Sequence, residues 1–95
     1  MVVHMVSFKY RPEVDVEARE SHRRQLSALR SIDGIIDLKV GGDFLQTERS
    51  HDTGLVVFFR DRAALSGYAT DARHQPVAKL GRDLSSQIVA VDFEA

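Results

Sequence analysis

Apolar residues in this chain recur every second position in some stretches and every three to four in others, and the switches between these periods mark out its elements. Val2 to Phe8 is apolar on both faces, with Val2, His4, Val6 and Phe8 on one side and Val3 and Met5 on the other. Such a run predicts a strand covered on both sides, and Arg11-Pro12 ends it. Asp15 is placed to cap a helix from about Val16 to Ser31, whose inward stripe is Ala18, His22, Leu26 and Leu29; Gly34 stops it. Ile35 to Val40 then alternates, Ile36, Leu38 and Val40 opposite Asp37 and Lys39, which predicts a strand with one wet face. Gly41-Gly42 closes that strand and Asp43 to Asp52 is a polar connection. Thr53 to Phe59 is again apolar on both faces. Asp61 caps a second helix carrying Leu65 and Tyr68, which breaks near Thr70-Asp71 and resumes with Val77, Leu80 and Leu84, Pro76 sitting in the first turn. Ser86 to Phe93 is a last strand, with Val89, Val91 and Phe93 facing one way.

The order is β-α-β-β-α-β, the split βαβ arrangement of a ferredoxin-like α+β sandwich. In that arrangement the first and third strands lie in the middle of a four-stranded antiparallel sheet, and here those are the two strands without a polar face. Helices can cover one face of such a sheet, while the other still carries Val, Leu and Phe side chains. Each mid-sized apolar side chain left wet forfeits roughly 1.5–3 kcal/mol. A second copy of the chain, packed sheet to sheet, is the expected cover, so a homodimer is expected.

With 95 residues there is room for one core, and residues 1–95 are read as a single domain. A formal net charge of −1 gives no general attraction to nucleic acid or anionic lipid. Without cysteine, a disulfide framework, a thiolate zinc site and a cysteine nucleophile are all excluded. The N-terminal run has no basic start and carries His4, unlike a signal peptide, and the longest apolar stretch, Leu55 to Phe59, is far too short to cross a bilayer. A soluble, cytoplasmic protein with no nucleic-acid or membrane partner is expected.

Chemistry concentrates in the block from Leu65 to Val77, where Tyr68, Asp71 and His74 put a phenol, a carboxylate and an imidazole on one short helical stretch. An unperturbed imidazole can take a proton from carbon next to a carbonyl near neutral pH, and a phenol in a dry pocket can donate to the enolate oxygen that results. Asp71, three residues before His74, is close enough either to orient the ring or to cap the following turn. Tyr68 and His74 equally suit core packing with polar tips satisfied by backbone. His4 lines a pocket or is a buried histidine held by a neighbour. His22 contacts a ligand or reaches solvent from the edge of its stripe, and His51, beside Asp52 in a polar loop, is read as solvated. The four histidines are dispersed without ligand-type spacing, so no metal is expected. Gly41-Gly42 lacks the helix and Lys-Ser/Thr of a phosphate loop, and Ser85-Ser86 reads as a turn.

The opening Val3-His4-Met5-Val6-Ser7-Phe8-Lys9-Tyr10-Arg11-Pro12, the Ile32-Asp33-Gly34-Ile35 turn, Val40-Gly41, His51-Asp52 through Phe59, Tyr68 with His74, and the closing Val91-Asp92-Phe93-Glu94 together resemble the stress-responsive dimeric α/β-barrel (Dabb) family across essentially the whole chain. The resemblance implies a dimeric α/β barrel with a pocket between sheet and helices. Most members have no assigned reaction; the best understood are polyketide cyclases, in which a histidine-tyrosine pair drives intramolecular aldol closure without metal or organic cofactor. Carried over by position, His74 is the general base, Tyr68 orients it or stabilises the enolate, and His4 binds a substrate oxygen. The chain departs from that pattern at Asp71, where the family block begins with His-Pro; at Leu26, where the cyclases have a second pocket tyrosine; and at His22, a position apolar in such pockets. These three are the expected ligand contacts. The resulting expectation is a dimeric protein holding a small, apolar, oxygen-bearing ligand. The alternatives are a cofactor-independent cyclase or lyase and a cofactor-independent α/β-barrel monooxygenase, the latter weakened by the absence of tryptophan.

Overall fold

A computed structural model describes residues 1–95. The elements are β1 (Val2–Tyr10), α1 (Val16–Ala28) continued by a 3-10 turn (Leu29–Ser31), β2 (Ile35–Gly42), β3 (Thr53–Phe59), α2 (Arg62–Thr70), α3 (His74–Leu84) and β4 (Ser85–Glu94). The four strands form one antiparallel sheet in the order β2-β3-β1-β4, with β1 and β3 central. This is a ferredoxin-like α+β fold.

Local chemistry sets the element boundaries. Asp15 and Asp61 cap α1 and α2 through side-chain oxygens that accept from the backbone N–H three residues on, each at 2.8 Å. Gly34 ends the first helical segment at φ 92°, and a Cβ there would stand 2.6 Å from the Cβ of Ala64, so the turn requires glycine twice over. The second helical region is broken at Asp71, whose extended backbone separates α2 from α3, and Pro76 sits in the first turn of α3.

The core lies between the sheet and the helices. Phe8 and Tyr10 from β1, Leu55, Val57 and Phe59 from β3 and Leu38 from β2 meet Leu26 and Leu29 from the first helical segment and Tyr68 and Val77 from the second. Two details differ from the periodicity. A bulge between Ile35 and Asp37 turns Ile36 out to solvent and lets Ile35 pack on the core instead. Ser85-Ser86 is not a turn but the start of β4, where the β1 pairing shifts register between Lys9 and Tyr10.

The opposite face of the sheet has no helix. There Met5 pairs with Val91 and Val56, and Val3 with Phe93 and Phe58, and Val89, Val91 and Phe93 are exposed in the single chain. The helices also stop short of β4 on the inner face, where Ile88 remains partly exposed. That uncovered strip is the mouth of the site described next.

Candidate functional site

A cavity of about 360 Å³ opens between the inner face of the sheet and α2–α3. Its walls are apolar: Val6 and Phe8 from β1, Leu55 from β3, Leu26 from α1, Val77 from α3 and Ile88 from β4. Four residues bring polar chemistry to it: His4, Tyr68, His74 and Arg82. The sheet side chain of His4 reaches the cavity because even-numbered residues of β1 face the helices. Tyr68 comes from the end of α2 and His74 from the start of α3, and the break at Asp71 folds the two rings together at 4.2 Å between centroids. Tyr68 also packs edge-on against Phe59 at 5.1 Å and against His4 at 6.0 Å.

Each polar group is held in a defined state. Tyr68 is 2 % exposed, and burial pushes its phenol up to about 12, so it stays protonated as a donor. Its hydroxyl makes no hydrogen bond to the protein, although it borders the cavity. The Nδ1–H of His74 donates to the Ala69 carbonyl at 3.3 Å, which leaves Nε2 with its lone pair. Burial lowers the His74 pKa and the nearby His4 adds to that, while the Ala69 carbonyl and Asp71 oppose it. His74 is therefore a neutral base near pH 7. His4 donates from Nδ1 to the carboxylate of Asp92, directly opposite it on β4, again leaving Nε2 free.

Leu26 lines the cavity. Asp71 and His22 do not, and both expectations need correction. The Asp71 carboxylate is taken by Arg73, through its backbone N–H at 2.8 Å and its guanidinium at 2.9 and 3.0 Å, which lowers the acid to about 2. It meets His74 only through backbone bonds, its carbonyl accepting from the N–H of His74 at 3.0 Å. Asp71 thus shapes the α2–α3 break and does not orient the ring. His22 is fully buried behind Phe8, whose ring stands edge-on at 4.8 Å and separates it from the cavity. Its Nδ1 accepts from the Tyr10 hydroxyl at 2.6 Å; that oxygen also lies 2.9 Å from the Thr53 hydroxyl, which accepts from Arg23 at 2.8 Å. Burial, aided by the Arg23 charge, lowers His22 to about 4.

His51 is not simply solvated. On the helix-free face its Nδ1 lies 2.9 Å from the Ser7 hydroxyl and its Nε2 donates to the Gln87 side-chain oxygen at 3.1 Å. Nowhere do three His, Cys, Asp or Glu side chains gather in a group that could hold a metal ion.

Sequence reasoning missed two site residues. Arg82 follows His74 and Ala78 at steps of four, so all three share one face of α3. That spacing was visible. Asp92 becomes a partner of His4 only through the register of β1 against β4.

The fold and cavity define a ferredoxin-like protein with an internal pocket carrying two imidazoles and a phenol. The sequence matches the stress responsive A/B barrel domain (Dabb) over residues 2–95, and the chain belongs to that family. No curated protein matches the sequence. Among solved structures, a dimeric ferredoxin-like protein of unknown function from Thermobifida fusca is similar with a TM-score of 0.91 and 19% identity, over 99% of this chain and 90% of that one. Another from Bacteroides fragilis gives 0.81 and 24%, over 99% and 95%. A hydroxynitrile lyase from Passiflora edulis gives 0.86 and 15%, over 97% and 90%. At these identities the likeness is one of fold. No helix is long and apolar enough to cross a membrane.

Proposed function

We propose that this chain is a homodimeric Dabb protein whose cavity binds a compact, largely apolar carbonyl compound and performs acid–base chemistry on it. The observation that carries the reading is the Tyr68 hydroxyl. It is a protonated donor on a cavity wall, with no protein acceptor, beside a neutral His74. The oxygen is open to the cavity, so a ligand oxygen takes the place that water otherwise fills at this donor.

In the reaction this geometry suits, Nε2 of His74 takes a proton from carbon next to the ligand carbonyl. The C–H electron pair moves into the carbonyl, and the resulting enolate oxygen accepts a hydrogen bond from Tyr68. His4, held by Asp92 through its Nδ1–H, presents Nε2 as an acceptor to a ligand hydroxyl. Where the ligand carries a second carbonyl, the enolate carbon attacks it, a C–C bond forms, and the imidazolium of His74 returns its proton to the new alkoxide. The sum is an intramolecular aldol closure that needs no redox partner.

Two copies meet through the helix-free faces, burying Met5, Val89, Val91 and Phe93. The dimeric neighbours of the same fold support this assembly.

The test is proton–deuterium exchange next to the carbonyl of 2-octanone in D₂O, followed by NMR. The wild-type protein should accelerate exchange, and His74→Ala should abolish it while leaving the dimer and 2-octanone binding intact. Absence of exchange with the wild type, despite binding, would overturn the acid–base reading and leave a binding protein.

A further inference from the structure

We infer that the cavity selects ligands bearing one carboxylate, and that Arg82 at its mouth is the residue that reads it. The inference rests on the cavity being a ligand site, as proposed above, and adds the class of ligand.

The first observation is charge balance around the mouth. Arg82 is the one residue with a permanent charge among those lining the cavity, and its guanidinium takes part in no ion pair or hydrogen bond. Asp83, next to it in sequence, is bonded to Lys79 at 2.8 Å, so the Arg82 donors stay free at the cavity mouth, where a ligand anion can replace the water around them.

The second observation is the number of cations. A single guanidinium, with five N–H donors in a planar fork, matches a carboxylate in two parallel bonds. The lining offers no second cation of fixed charge, which a doubly charged phosphate would call for. A monoanion is the fit.

The third is position. Arg82 lies eight residues beyond His74 on α3, which is ~12 Å along the helix axis. Between them stand Val77 and Ala78, with Val6, Phe8 and Ile88 facing. A ligand with its carbonyl at Tyr68 and its anion at Arg82 therefore has an apolar stretch between the two groups. The class this describes is a medium-length oxo-carboxylic acid.

The experiment is calorimetric titration of the wild-type protein with octanoate and with octanamide, which differ in charge and little in shape. Octanoate should bind at least tenfold more tightly, and the preference should shrink as salt is raised. In Arg82→Gln the two should bind equally, through loss of octanoate affinity alone, and Arg82→Lys should recover part of it. Arg82 is exposed, and a circular dichroism spectrum like the wild type's checks that each variant folds. Equal binding of both probes to the wild type, or a preference that survives in Arg82→Gln, would overturn the assignment of Arg82 while leaving the cavity as a binding site. If neither probe binds, the ligand site itself fails and this inference falls with it.

Discussion

Tyr68→Phe separates packing from chemistry more cleanly than any other change at this site. The substitution removes one oxygen and keeps the ring, so the contacts with His74 at 4.2 Å, Phe59 at 5.1 Å and His4 at 6.0 Å survive. Since the hydroxyl makes no hydrogen bond to the protein, the fold loses none. Stability should stay within about 1 kcal/mol of wild type, because the hydroxyl faces the open cavity and holds no partner in the protein. For a domain of this size that is a change in Tm of no more than roughly 4–8 °C. Catalysis should respond much more. Loss of one donor to a developing oxyanion typically costs about 10²–10³ in rate, or roughly 3–4 kcal/mol. The two measurements are thermal unfolding and the 2-octanone exchange rate on the same sample. A fall in Tm of 10 °C or more with an unchanged exchange rate would refute the reasoning, because the hydroxyl would then be a structural group. Tyr68→Ala serves as the contrast: deleting the ring should cost about 3–5 kcal/mol of stability.

Other consequences are equally direct. His22 is buried neutral with its pKa lowered to about 4, so the unfolded chain binds its proton first as pH falls. The stabilisation is complete above about pH 6.5 and is lost as pH drops toward 4, by up to roughly 3 kcal/mol; urea unfolding at pH 7 and pH 4.5 should show that loss, and His22→Gln should flatten it. Asp92→Asn and Asp71→Asn should both leave 2-octanone exchange unchanged within about twofold, because this ketone has no second oxygen for His4 and the Asp71 carboxylate is held by Arg73 away from the His74 ring. Gly81→Ala should destabilise by about 1 kcal/mol despite the better helix propensity, because its Cβ would sit 3.0 Å from Phe8 Cε1 and 3.3 Å from His22 Nε2; chemical denaturation reads the sign. Met5→Glu places a charge opposite Val91 on the helix-free face and should convert a dimer to a monomer at low micromolar concentration in sedimentation velocity, with the exchange of a persistent dimer arguing for another interface.

The strands and the helix caps were legible because each depends on neighbours within a few residues, and the sheet order followed from the βαββαβ order of elements together with the two strands that lack a polar face. Val2 to Phe8 and Thr53 to Phe59 lacked a polar face and became the central strands; Asp15 and Asp61 capped the helices they precede. The site was legible in part. Tyr68, His74 and Leu26 were readable from helical spacing and family resemblance, whereas spacing left Asp71 free either to orient the ring or to cap the turn, and its carboxylate binds the backbone and guanidinium of Arg73. Helical periodicity also placed His22 and Leu26 on one stripe without showing that Phe8 divides them, leaving only Leu26 at the cavity.

What the amino-acid order determined by itself was therefore a two-layer βαββαβ domain with a phenol and an imidazole on adjoining turns, since periodicity, capping and chain breaks are local effects. What only the tertiary structure decided was which polar groups meet. His4 and Asp92 lie 88 positions apart and are joined by strand register, and Tyr10, His22 and Thr53 close a buried network across three elements. Arg82 became the one permanently charged residue of the cavity because the packing of α3 on the sheet brings its face to the cavity mouth. Such pairings are set by register and packing between distant segments, and no window along the chain contains both partners.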